Sequence, residues 1–265
     1  MICPKVIQSL RRHHIMKSVL MLSIAMFWLN MPATLFAADI FESGNGRISV
    51  LELYTSEGCS SCPPADRWLS ELKEDKRLWN QLIPVAFHVD YWNYIGWPDR
   101  FSSGAYSDRQ RRYARGKGLS TVYTPGFLLN GQEWRSYFGL RQLSLDSETD
   151  AGNLTVNVDQ KTVHATYKSS GRTISNPVLN IAVLGFDLIT QVESGENRGK
   201  QLKHDFTVLG ISTVPMSAEG GVYTISAMLP DVSISAPRTG IATWISEQGD
   251  QTPIQATGGW LNQGF

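Results

Sequence analysis

Cysteine is scarce in this chain: Cys3, Cys59 and Cys62 are its only three among 265 residues. No second cysteine pair is available, which excludes a four-thiolate zinc site. Charge of one sign is lacking too. Lysine plus arginine and aspartate plus glutamate both count 24, and no basic stripe points to nucleic acid. After the N-terminal segment no long apolar run follows, so no further membrane span is expected. Long repeats and low-complexity tracts are absent as well.

The N-terminal segment is itself informative. Met1 to Lys17 carries Lys5, Arg11, Arg12 and Lys17 and no acid; Ser18 to Leu29 is apolar; Met31 to Ala38 ends in small residues. That is the order of a secretory signal peptide, cleaved after Ala37 or Ala38, with Met16 as an alternative start. An N-terminal anchor helix is the other reading, but the apolar run is short for a span of about 20 residues. Cleavage removes Cys3 and leaves 20 bases against 24 acids, a net charge of −4. The mature chain is then expected in the periplasm or secreted, an oxidising place where Cys59 and Cys62 can join. Its length fits one large domain or two small ones.

The chain is organised around Gly58-Cys59-Ser60-Ser61-Cys62-Pro63-Pro64. An apolar run, Ile48 to Leu53, precedes it, and Ala65, Trp68, Leu69 and Leu72 follow at helical spacing. Two thiols between a strand and a helix suit a redox pair. Amide donors at a helix start favour the thiolate of Cys59, and Cys62 can then attack a mixed disulfide. The same spacing also fits half a zinc site. Glu57 opposes a very low thiolate pKa. A purely structural disulfide is poorly motivated, because so short a loop contributes little by closure.

Arg47 to Tyr54 and Leu82 to Val89 read as parallel strands of a right-handed βαβ unit, with the intervening helix running to about Lys73. Asp90 to Pro98 is an aromatic loop, and Tyr106 to Lys117 is a second helix stopped by Gly118. Pro125 leads an apolar strand, and Asn130-Gly131 turns it into a second one, Glu133 to Phe138. This is the thioredoxin order, in which the proline is cis and faces the thiols. From about Asn153 the texture changes to short β-like runs: Leu154–Val158, Val163–Tyr167, Val178–Phe186, Leu202–Leu209, Val222–Met228 and Ile241–Ile245. The polar stretch Arg141 to Gly152 is the expected boundary. The expected fold class is thus an α/β thioredoxin-like domain over 38–150, after a signal peptide over 1–37, followed by an all-β sandwich-like domain over 151–265.

Several stretches resemble one family together: Glu52 to Asp66, Ala86 to Trp97, Asp108-Arg109-Gln110, Tyr123-Thr124-Pro125, Asn130-Gly131, Gly195 to Gly199 and Trp244-Ile245. They are similar to domain of unknown function family 1223, secreted bacterial proteins of thioredoxin-like type. The resemblance spans nearly the whole mature chain. It implies that fold, export and a C-x-x-C pair, and no established reaction. Gly58 and Ser60-Ser61 depart from the Trp and Gly-Pro of many thioredoxins, which affects potential and substrate surface.

The candidate catalytic residues are Cys59 as nucleophile, Cys62 as resolving thiol, Thr124 and Pro125 as the groove step, and His88 with Asp90. For His88 and Asp90 three readings stay open: a satisfied pair bracing the aromatic loop, a proton relay, or, for His88 with Cys59 and Cys62, a copper or zinc site. Tyr91, Trp92, Tyr94 and Trp97 form either a packed lid or a rim for a polypeptide. Arg109 either pairs with Asp90 or Asp108 or lies on a solvated face. Gly195 to Gly199 reads as a hairpin turn, with Glu196 and Asn197 able to reach the first half. The function these residues suggest is thiol–disulfide exchange with periplasmic protein thiols or disulfides, with no cofactor. The alternatives are a copper or zinc carrier using Cys59, Cys62 and His88, and a binding module without catalysis. Oligomeric state is not legible.

Overall fold

The computed structural model describes residues 38–262, apart from 117, 140–142, 146–149 and 172. The expected signal segment and Cys3 lie outside the described residues, as does part of the expected boundary. β1 (Asp39–Glu42) leads to β2 (Ser49–Thr55), which is buried along its whole length. The chain then turns into α1 (Pro63–Glu71), continues in a 3₁₀ turn over Leu72–Glu74, and returns as β3 (Leu82–His88). Two prolines open α1, where backbone donors are spare, and Ala65 and Leu69 form its buried face. β3 runs parallel to β2, with Thr55 opposite His88.

α2 (Gly104–Arg115) is capped by Ser103, whose hydroxyl accepts the Ala105 N–H. β4 (Gly126–Leu129) follows the cis Thr124–Pro125 bond and pairs antiparallel with β2. Asn130 and Gly131, at φ 51° and 79°, turn it into β5 (Gln132–Glu133). The expected strand to Phe138 stops early, and Arg135–Phe138 is a 3₁₀ turn. Trp134 and Tyr137, three residues apart, both turn inward onto Trp68 and Phe127, which a strand cannot achieve.

The second half forms β6 (Asn153–Asp159), β7 (Thr162–Lys168), β8 (Pro177–Phe186), β9 (Leu188–Gln191) and β10 (Gln201–His204). It continues with β11 (Thr207–Pro215), β12 (Ser217–Glu219), β13 (Val222–Met228), β14 (Arg238–Glu247) and β15 (Asp250–Trp260). An antiparallel sheet has the order β1-β6-β7-β13-β12, and among the described residues β9 pairs only with β10. The large sheet has the order β15-β14-β8-β11-β3-β2-β4-β5.

That order overturns the expected fold class, an α/β thioredoxin-like domain followed by an all-β sandwich-like domain. The described residues hold fifteen strands and only two α-helices. Four late strands complete the sheet begun by β2 and β3, and Thr207 of β11 pairs in parallel with Ala86 of β3. The physical reason lies at the edge of β3. Its residues are buried throughout, so its free backbone groups need a partner, which β11 supplies. The chain is therefore a β-rich molecule with one sheet common to both halves. Leu179, Ile181 and Val183 of β8 face the β6–β7 side, while Ala182, Leu184 and Phe186 join the core of β2, β3 and the helices.

Candidate functional site

Cys59 and Cys62 are joined as a disulfide in the loop between β2 and α1. Cys59 is 2% exposed and Cys62 fully buried, whereas Ser60 and Ser61 are exposed. Cys62 itself is the N-cap, so the helix starts at the second cysteine. Pro63 and Pro64 remove two of the amide donors expected to favour a thiolate, and the Cys62 N–H goes to Cys59 O at 3.2 Å. The Ser61 hydroxyl lies 3.3 Å from Cys59 Sγ.

Behind this loop is a buried cluster of ionisable groups. His88 Nδ1 is 2.7 Å from Asp99 Oδ2, and His204 Nε2 is 3.1 Å from Glu57 Oε1. The two pairs are linked because the Glu57 N–H donates to Asp99 at 2.9 Å. Trp97 Nε1 donates to the other Glu57 oxygen at 2.8 Å, and the Phe101 N–H to Asp99 at 2.9 Å. Asp66, one turn into α1, is buried nearby. His88 Nε2, His204 Nδ1 and Asp66 Oδ2 have no hydrogen-bond partner among the described residues.

Burial alone lowers the His88 pKa, but the Asp99 charge and hydrogen bond, with Asp66 and Glu57 behind, raise it from 6.5 to about 9. Asp99 is driven up by burial, yet the His88 charge and the donors around it hold it below the usual carboxylate value. Burial raises Asp66, and the His204 and His88 rings temper that rise. A cavity of about 300 Å³, lined by Asp66 and His204 with Pro63, Arg67, Leu202 and Lys203, adjoins the cluster.

His88 therefore stands in the site, but its partner is Asp99 rather than the expected Asp90. Asp90 is held outside, bonding Ser107 at the start of α2 through both its carboxylate (2.5 Å) and its N–H (3.1 Å). Thr124 is tied to the cysteine loop through Trp92. The indole donates to Thr124 Oγ1 at 2.7 Å, and the Trp92 backbone and Cβ lie against Gly58. Pro125 is buried beside it, after the cis bond. Of the aromatic loop, Tyr91, Trp92 and Trp97 turn inward and only Tyr94 is strongly exposed. Arg109 pairs with neither Asp90 nor Asp108. It makes a two-point bond to buried Glu52, at 2.9 Å each, which Tyr54 and Tyr113 complete.

Asn197 is fully buried, and its amide donates to Glu57 O at 2.7 Å and Cys59 O at 3.0 Å. Sequence reading missed Asp66, Asp99 and His204. His204 had a signal, since Leu202 and His204 alternate with exposed Gln201 and Lys203 on a half-buried strand. Asp99 had none, because loop carboxylates fold back without periodicity. Among the described residues no group of three or more His, Cys, Asp or Glu side chains is arranged to hold a metal ion. None of the described helices is long and apolar enough to cross a membrane.

The family model described as "Protein of unknown function (DUF1223)" matches residues 50–246, from inside β2 almost to the end of β14. The chain belongs to the DUF1223 family. Two solved structures resemble this DUF1223 chain. Protein AGR_C_4864 from Agrobacterium tumefaciens aligns with a TM-score of 0.55 and 22% identity, over 81% of this chain and 94% of that one. HBP35 of Porphyromonas gingivalis aligns with a TM-score of 0.53 and 17% identity, over 83% and 77%. Both are likenesses of fold. No curated protein matches the chain.

Proposed function

We propose that the chain carries out thiol–disulfide exchange with exported polypeptides through Cys59 and Cys62. The observation that carries this reading is that both flanks of the disulfide, Glu57 and Asp66, belong to one buried ionisable cluster with His88, Asp99 and His204. Buried charge is costly and is concentrated where proton transfer is needed. In the forward step a partner thiolate bonds to Cys59 Sγ, the Cys59–Cys62 bond breaks, and the electron pair leaves on the Cys62 sulfur. That sulfur is buried and must be protonated, and His88, raised to about 9 by its carboxylate neighbours, carries a proton at neutral pH. A second partner thiolate then releases Cys59, so two electrons pass to the pair and the partner leaves as a disulfide. In the reverse sequence the reduced pair gives two electrons to a partner disulfide, which leaves as two thiols while the Cys59–Cys62 bond re-forms.

The N-terminal signal pattern supports action in the periplasm or outside the cell, as does a joined cysteine pair. The test is a Cys62→Ala variant expressed with its own leader. Cys59 should accumulate mixed disulfides with exported polypeptides, released by reductant and absent from Cys59→Ser/Cys62→Ala protein. No adducts would reject exchange. A partner retained equally by the variant lacking both thiols would favour a non-catalytic binding module.

A further inference from the structure

We propose that the segment Val192 to Lys200, a strap joining β9 to β10, is a displaceable cover over Cys59. It occupies the backbone groups that an extended, cysteine-bearing polypeptide uses. The polypeptide part rests on the exchange reading above.

The strap belongs to a two-stranded ribbon that pairs with neither large sheet. It is closed on itself: the Gly199 N–H donates to Val192 O at 2.8 Å, the Val192 N–H to Lys200 O at 3.0 Å, and the Arg198 N–H to Gly195 O at 3.2 Å. Gly195 and Gly199 turn it at φ 73° and 82°. Such a unit can lift without losing its own hydrogen bonds.

Near Cys59 its attachment is local and polar, while Val192 at its base is buried. The Asn197 amide spans Glu57 O and Cys59 O, Glu196 accepts the Ser60 N–H at 3.3 Å, and Ser194 donates to Gly96 O. Lys200 Nζ holds Asn197 Oδ1 at 2.8 Å, fixing the amide orientation. Two carbonyls and one N–H are the groups by which one backbone recognises another, and here side chains stand in for the second backbone. With the strap down, Cys59 is only 2% exposed, and Asn197 and Glu196 hold its carbonyl and the next N–H. Exchange therefore requires the strap to rise, and the freed groups then receive the partner chain.

The test follows reduction of the oxidised protein by dithiothreitol. This dithiol gives two electrons and becomes its own cyclic disulfide, and the freed Cys59 and Cys62 thiols are trapped by alkylation. Asn197→Ala removes two hydrogen bonds and should speed reduction about tenfold or more. Gly195→Ala keeps every group that makes those bonds, but its Cβ would sit 3.2 Å from Trp97 Cβ at a positive φ and push the strap outward, so it should also speed reduction. Parental rates in both variants would overturn the cover, and Gly195→Ala decides alone if Asn197→Ala does not fold.

A second arm compares reduction by a short cysteine peptide with reduction by 2-mercaptoethanol. The parent should favour the peptide by about tenfold, a ratio that Cys59–Ser60 backbone recognition would produce. No preference would overturn the polypeptide part. Faster variants with no adducts to Cys62→Ala would leave the cover standing and reject the exchange reading.

Discussion

His88 Nδ1 lies 2.7 Å from Asp99 Oδ2, while the His88 ring meets the His204 ring edge to face with centroids 4.9 Å apart. Asp99, Asp66, Glu57, His204 and the Phe101 ring surround this imidazole. Asp99, Asp66 and Glu57 raise it from 6.5 to about 9 against the opposing effect of burial. A group raised on folding contributes all its stability below the unfolded value, and loses it as pH rises through the folded value. The stability advantage of the parent over His88→Gln should therefore be full at pH 6 and shrink toward pH 9.5. Urea unfolding across that window checks it, and a constant gap would contradict the assignment.

Arg109 and Glu52 form a separate buried ion pair, with two 2.9 Å bonds and Tyr54 and Tyr113 filling the remaining acceptor sites. Arg109→Met should destabilise the protein by about 3–5 kcal/mol, because it strands the Glu52 charge between β2 and α2. Adding Glu52→Gln should recover part of that loss. Denaturation of the two single variants and the double variant measures the coupling, and strict additivity would count against the pair.

Trp92 acts as a brace between the cysteine loop and the Thr124 step. Thr124→Val keeps the shape but removes the acceptor of the indole N–H, at a cost of about 1 kcal/mol. A lower thermal midpoint with unchanged secondary structure is expected. Gly58→Ala should cost more, since its Cβ would lie 3.2 Å from both Trp92 Cβ and Trp92 O.

A fragment ending at Asp150 keeps β2, α1, β3, α2, β4 and β5 but lacks β8, β11, β14 and β15. With β3 left as a bare edge and Phe186, Phe206, Val208 and Trp244 gone from the core of Phe87 and Tyr106, it should show no cooperative unfolding transition. A sharp transition by circular dichroism would show that the early elements are self-sufficient.

Much of the local order was legible. The unbroken apolar runs of β2 and β3, the prolines after Cys62 and the Asn130-Gly131 turn each carry a short-range physical signal, and the structure follows them within a few residues. Partners across the sheet were not legible. Periodicity says that a strand is buried, not which strand buries it, so joining β11 to β3 had no local sign. One clue stood in β8, whose run Val178 to Phe186 does not alternate as β6 and β7 do; a strand covered on one face would. At the site the cysteines were plain from spacing, but the Asp90 expectation followed nearness in sequence. The carboxylate that reaches His88 comes from Asp99, returned by the aromatic loop.

The pairing of Thr207 with Ala86 also sets the order in which the molecule can be made. As the chain emerges from a ribosome or a translocation channel, β2 and β3 appear long before their neighbour β11 exists. Until then the edge of β3 offers open donors and acceptors to any other strand nearby. High contact order of this kind slows folding and leaves the nascent half dependent on holding factors or on rapid delivery of the rest. Only the arrival of β11 closes that edge and releases the chain from the hazard.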